Sequence, residues 1–183
     1  GEVLQKGNFY RDNLRGAKSE YVYISDGKPH VLSPKFTYYG YRYAKVTGVH
    51  QLTLDSFVGV AYYSDVHPVS TMVTGDEKLN QLLSNIRWGQ KSNFVDVPTD
   101  CPQRDERMGW TGDTQVFAAT ACYLTDACAF YEKYLYDMQK EQNKRGGCVP
   151  DTIPAFYMRG GCCVWGDAAT ILPWTLYLFY GDV

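Results

Sequence analysis

The feature that most constrains this chain is a change in the rhythm of its apolar residues near His67-Pro68. Before that point, β-branched and aromatic residues come in short runs: Glu20-Tyr-Val-Tyr-Ile24, Phe36-Thr-Tyr-Tyr39, Tyr41-Arg-Tyr-Ala-Lys-Val46 and Phe57-Val-Gly-Val-Ala-Tyr-Tyr63. Turn residues punctuate them at Asp26-Gly27, Gly40, Thr47-Gly48 and Leu54-Asp-Ser56. Short runs between turn signals predict antiparallel strands, spaced as in a β-sandwich rather than in βαβ units. After that point the spacing becomes helical. Leu79, Leu82, Leu83 and Ile86 recur every three or four residues, and Asp76 or Thr74 stands where an N-cap belongs. The same rhythm predicts helices over 113–124, over 126–142, and from Asp167 toward Tyr180. The expected organisation is a β region at 1–73 followed by a helical region at 74–183.

Composition narrows the class. The chain has 183 residues, 45% hydrophobic and 15% aromatic, enough to bury a core. Its net charge of −2 is spread among both signs, so no basic face tracks a phosphate backbone and nucleic acid is excluded as a partner. The apolar stretch Ile171 to Tyr180 contains Pro173 and falls well short of the roughly 20 residues that span a bilayer. Six cysteines (Cys101, Cys122, Cys128, Cys148, Cys162, Cys163) form no C-x-x-C pair, and His30, His50 and His67 are scattered, so no metal site is expected. The first residues, Gly1-Glu-Val-Leu-Gln-Lys, lack the zones of a secretory signal and also an initiator Met. Thiols without a disulfide framework point to the cytoplasm, and the even cysteine number leaves a secreted or periplasmic protein as the alternative.

Between the predicted helices lie irregular segments at 94–112 and 144–165. The first carries the chemistry. Asp96-Val-Pro-Thr-Asp-Cys-Pro-Gln-Arg-Asp-Glu-Arg-Met-Gly-Trp-Thr-Gly-Asp113 has no core-like periodicity and concentrates carboxylates, two arginines and an indole. Asp100, Asp105, Glu106 and Asp113 cannot all be buried as unpaired anions; each needs an arginine, backbone donors, water or a polyhydroxylated ligand. A sugar offers hydroxyl donors to carboxylates and an apolar ring face to an indole such as Trp110. Glycosidic cleavage further needs a carboxyl group with a raised pKa to protonate the leaving oxygen. Glu106 fits that role if Trp110 and nearby negative charge outweigh Arg104 and Arg107. The competing reading is a solvated loop with ordinary surface ion pairs.

The stretch Asp100 to Asp113 closely resembles the signature of bacterial α-L-rhamnosidases, family 78 of the glycoside hydrolases. Its flanks agree: Tyr38-Tyr-Gly-Tyr-Arg-Tyr43 is similar to the end of that family's last β-domain, and Asn85-Ile-Arg-Trp-Gly-Gln90 to its first catalytic helix. The resemblance implies an antiparallel β-sandwich followed by the first helices of an (α/α)6 barrel. It implies inverting hydrolysis of terminal α-L-rhamnose from rhamnose-containing glycosides or polysaccharides, without a cofactor. By position Glu106 matches the general acid, while Asp100, Arg104, Trp110 and Asp113 match residues that hold the sugar ring. Asp105 is a supporting candidate whose role would exchange with that of Glu106 in an alignment slipped by one residue. The matching base lies beyond Val183, so residues 1–183 alone are expected to be inactive, with uncovered apolar helix faces.

Cys163-Val-Trp-Gly-Asp-Ala168 resembles a family element beside the rhamnose site, making Trp165 and Asp167 further candidates for sugar contact. The bland alternative makes Asp167 an N-cap and Trp165 a staple residue. Val149-Pro-Asp-Thr-Ile-Pro154 also resembles a loop of the family, in which Asp151 either serves turn chemistry or faces the cleft. Phe117, Tyr131, Tyr134 and Trp174 are expected to pack between helices. Two other functions remain: a non-catalytic carbohydrate-binding module, and a related (α/α)6 hydrolase acting on another sugar.

Overall fold

A computed structural model describes residues 1–156 and 160–181; part of the irregular segment 144–165 and the last two residues lie outside them. The chain folds as two compact units. One comprises Gly1–Tyr62 with Pro102–Glu106, the other Tyr63–Cys101 with Arg107–Val183.

The first unit opens with a hairpin of β1 (Val3–Gln5) and β2 (Asn8–Tyr10), paired Val3 to Tyr10, Leu4 to Phe9 and Gln5 to Asn8. Lys6 and Gly7 at its tip both have positive φ, the two-residue turn that matches strand twist. A 3-10 turn at Asp12–Leu14 follows and buries Leu14. The strands predicted at 20–24, 36–39, 41–46 and 57–63 are not formed. Their β-branched residues stand exposed, Ile24 at 89%, and among the described residues of this stretch no backbone ladder joins one run to the next. A strand, unlike a helix, cannot satisfy its own amides; without a facing partner an apolar alternating run stays irregular and hydrated.

The second unit is helical and close to expectation. Helix α1 (Glu77–Asn93) starts where Asp76 caps it, the carboxylate accepting Lys78 N–H at 2.8 Å. Helix α2 spans Thr111–Leu124, α3 Cys128–Lys144 and α4 Ala168–Tyr180. Helix α3 begins two residues later than predicted, because Asp126 stays outside and accepts the Cys128 N–H with its side chain. A tight hairpin of β3 (Phe94–Val95) and β4 (Val97–Pro98) links α1 to the acidic segment. Asp96 at its apex has φ +65, a conformation aspartate tolerates, and its carboxylate takes a hydrogen bond from Lys133.

The core of this unit gathers Phe94, Ala118, Ala121, Cys122, Tyr131, Tyr134, Met138, Ile153, Leu172 and Leu176. Small residues on α2 let α4 approach closely, and the aromatics of α3 fill the space beside them. Tyr131 and Tyr134 are buried as expected, but Trp174 is 59% exposed and stacks on Tyr177 instead of packing between helices. Val116 is likewise exposed; Ala118 and Ala121 form the buried stripe of α2. The apolar stripe of α1 through Leu79 and Leu82, and Ile171 and Leu178 on α4, also stay in solvent. No helix among the described residues is long and apolar enough to cross a membrane.

Candidate active site

The acidic segment divides between the units. Residues 102–106 belong to the first, held there by close backbone approach: a Cβ on Gly40 would lie 2.8 Å from the Pro102 carbonyl. A Cβ on Gly16 would lie 2.9 Å from the Asp105 carboxylate, which accepts the Gly16 N–H at 3.1 Å. Asp105 is thus engaged by backbone. Glu106, next to it, is 23% exposed and pairs with the Arg15 guanidinium at 2.5 Å, with Arg104 Nε at 3.9 Å. Arg15 was not legible as a partner, since it belongs to an unremarkable turn remote in sequence.

The second unit holds the rest. Asp100 closes the loop to α2: its N–H donates to the Met108 carbonyl at 3.1 Å and its Oδ1 accepts the Met108 N–H at 2.9 Å. Its Oδ2 is buried with no hydrogen-bond partner. Gly109 is required here, because a Cβ would sit 2.2 Å from the Ile153 carbonyl. The Gly109 carbonyl accepts both the Ile153 N–H and the buried Tyr134 hydroxyl, each at 2.8 Å. Burial pushes the Tyr134 phenol upward, which keeps it a donor. Trp110 occupies the N-cap position of α2, and its indole N–H is buried without a partner. Thr111 donates its N–H and hydroxyl to the Asp151 carbonyl. Asp151 is buried, and its backbone carbonyl fastens its loop to α2.

Asp113, in the first turn of α2, carries a raised pKa. Burial is the main cause and the charge of Asp100 the second. Asp100, Asp113 and Trp165 line one cavity of about 550 Å³, whose floor includes Phe94 and Phe117. The Trp165 indole lies over Gly112, its atoms 3.0–3.2 Å from where a Cβ would stand. Asp167 begins α4 through its carbonyl, which accepts the Thr170 and Ile171 N–H groups; the expected side-chain cap is not made. Its φ of −64° and ψ of −18° are already helical, unlike the extended backbone that turns a capping side chain onto the first turn.

Residues 67–183 match the family described as bacterial alpha-L-rhamnosidase six-hairpin glycosidase domain, and residues 1–63 its concanavalin-like domain. The chain belongs to the bacterial α-L-rhamnosidase family. Relatives called alpha-L-rhamnosidase, from Alteromonas sp. and Formosa agariphila, are 40% identical over 99% of this chain and 42% over 97%. Both are far longer: the chain spans about a fifth of their length. Among solved structures, the Streptomyces avermitilis α-L-rhamnosidase complexed with L-rhamnose is 38% identical, with a TM-score of 0.85 over 99% of this chain and 18% of its own. The Aspergillus terreus α-L-rhamnosidase is 33% identical, with a TM-score of 0.87 over 99% of this chain and 22% of its own. Against this family, the cavity of the second unit gathers Asp100, Asp113 and Trp165, while Arg104, Asp105 and Glu106 sit in the first unit. Besides Arg15, sequence reading missed Gln115, whose amide donates to the Val164 carbonyl at 2.5 Å. The signal present for it was a long amide side chain at the head of the apolar run Val116-Phe-Ala-Ala119.

Proposed function

We propose that this chain is part of an enzyme that removes terminal non-reducing α-L-rhamnose by an inverting mechanism. The observation that carries the reading is the cavity of the second unit, where Asp100 and Asp113 meet Trp165. Two carboxyl groups offer acceptors to sugar hydroxyls, the partnerless Oδ2 of Asp100 first among them, and the indole offers an apolar face to the ring. The rhamnose complex of the Streptomyces avermitilis relative supports the choice of sugar.

In this reading Glu106 protonates the glycosidic oxygen as the C1–O bond breaks, and a water attacks C1 from the opposite face. A second carboxylate takes the water's proton, roughly 6.5–9.5 Å from the acid so that water fits between. The reading assigns that base to a residue outside 1–183, so these residues alone give no turnover. Arg104 and Trp110 join Asp100 and Asp113 in holding the ring, Asp167 contributes beside Trp165, and Asp105 anchors the acid's segment through Gly16. Arg15 must yield its place at Glu106 when the glycosidic oxygen arrives. The same reading takes 1–73 as part of a β-sandwich region of the parent protein and 74–183 as the opening of its (α/α)6 barrel, bounds that differ from those of the two compact units.

The test is hydrolysis of a chromogenic α-L-rhamnoside by the full-length protein and its Glu106→Gln variant, with the anomer released followed by NMR. Removing a general acid lowers kcat by about 10²–10⁴-fold, and inversion releases the β-anomer first. Near-wild-type turnover by Glu106→Gln moves the acid to Asp105 or Asp100. Rhamnose binding without turnover in the parent favours a binding module, and turnover of a different glycoside alone favours a related hydrolase.

A further inference from the structure

Val164, immediately before the Trp165 that lines the cavity, has φ +78. A β-branched side chain avoids this region because its Cβ crowds the neighbouring carbonyl oxygen. Such backbone persists where its surroundings over-determine it, and these positions collect at ligand sites. Here the surroundings come from one face of α2. Gln115 donates its Nε2 to the Val164 carbonyl at 2.5 Å. One turn earlier on the same face, Gly112 leaves the space in which the Trp165 indole rests. Gln115 is 9% exposed, and its Oε1 is buried with no hydrogen-bond partner. Its polarity therefore serves the bond to Val164.

We infer that Gln115 is a positioning residue for the sugar site: it clamps the strained Val164 carbonyl and so seats the Trp165 indole on Gly112, beside Asp113. Its influence on sugar recognition passes through Trp165. The inference rests on reading this cavity as the rhamnose site. A donor is essential in this arrangement. A glutamate of the same shape would present an acceptor to the Val164 carbonyl, and a methionine would fill the space with nothing to donate. Because the indole meets the sugar equally in the ground state and the transition state, losing its placement weakens binding more than it slows the chemical step.

The experiment uses the full-length protein with Gln115→Glu, Gln115→Met, Trp165→Ala and the Gln115→Met/Trp165→Ala pair. Hydrogen exchange without sugar comes first: amides of 164–166 exchange about tenfold faster in both Gln115 variants while those of α3 hold their wild-type rates. Unchanged exchange at 164–166 overturns the clamp. With a chromogenic α-L-rhamnoside, Gln115→Met raises KM about tenfold with kcat changed less than about twofold, and adds nothing to Trp165→Ala. A loosened loop with unchanged KM, or losses that add in the double variant, overturns the route through Trp165. A parent that neither cleaves nor binds rhamnosides, yet shows the exchange response, sinks the reading of the cavity and leaves the clamp standing.

Discussion

The two units answer the same question, how to bury apolar residues, in different ways. The helical unit closes a core around Tyr131, Tyr134, Leu172 and Leu176. The first unit, although rich in valine and tyrosine, buries Leu14 and leaves Val22, Ile24, Val58 and Val60 in solvent. Helices satisfy their backbone within one short stretch of chain, so packing needs only that their faces meet. Strands need distant partners before any side chain is covered, so residues 20–63 hold few such contacts. Hydrophobicity thus secures burial only where backbone pairing is already available.

The contrast can be broken by truncation. Leu172→Ala, emptying a fully buried site on α4, is expected to cost about 2–5 kcal/mol by chemical denaturation, whereas Ile24→Ala in the first unit shifts stability by less than about 0.5 kcal/mol. Equal losses would mean that the first unit packs in solution more tightly than its exposure indicates. It can be sharpened at a helix end. Asp76→Ala removes the hydrogen bond to Lys78 N–H and should cost about 1 kcal/mol, read as a lowered melting temperature and faster exchange in the first turn of α1.

The smallest expected effect is electrostatic. Asp113 has its pKa raised in the folded state, so the protonated form is favoured there. Stability from this group is full below its unfolded pKa of 3.8 and is lost as pH rises through the higher folded value. Asp113→Asn should flatten that decline when unfolding is followed across the carboxylate range. A steeper decline in the variant would show that Asp113 gains from ionising in the folded protein.

The helices were legible because the three-and-four rhythm of Leu79, Leu82, Leu83 and Ile86 reports a local geometry, and the Asp76 cap is a local signal too. The runs at 20–63 have strand character, but pairing is a property of partners that the runs do not name. Trp174 was read as core because helical spacing tells which residues share a face, not whether anything covers it. At the site, the carboxylates and indoles were visible in the acidic segment and in Trp165. Their partners were not: Arg15 reaches Glu106, and Gln115 reaches Val164, only through folding. Asp113 has its pKa raised with burial as the first cause, and burial is hard to read from composition.

The excursion of residues 102–106 into the first unit has a genealogical consequence. A single crossover anywhere from residue 62 to residue 107 leaves one unit without a piece of its own chain. Homologous recombination that grafts a foreign front half onto these helices would mismatch Glu106 with its Arg15, or Gly40 with Pro102. The two units are therefore expected to descend together, and chimaeras should work only when a crossover after residue 62 is accompanied by both crossovers flanking 102–106.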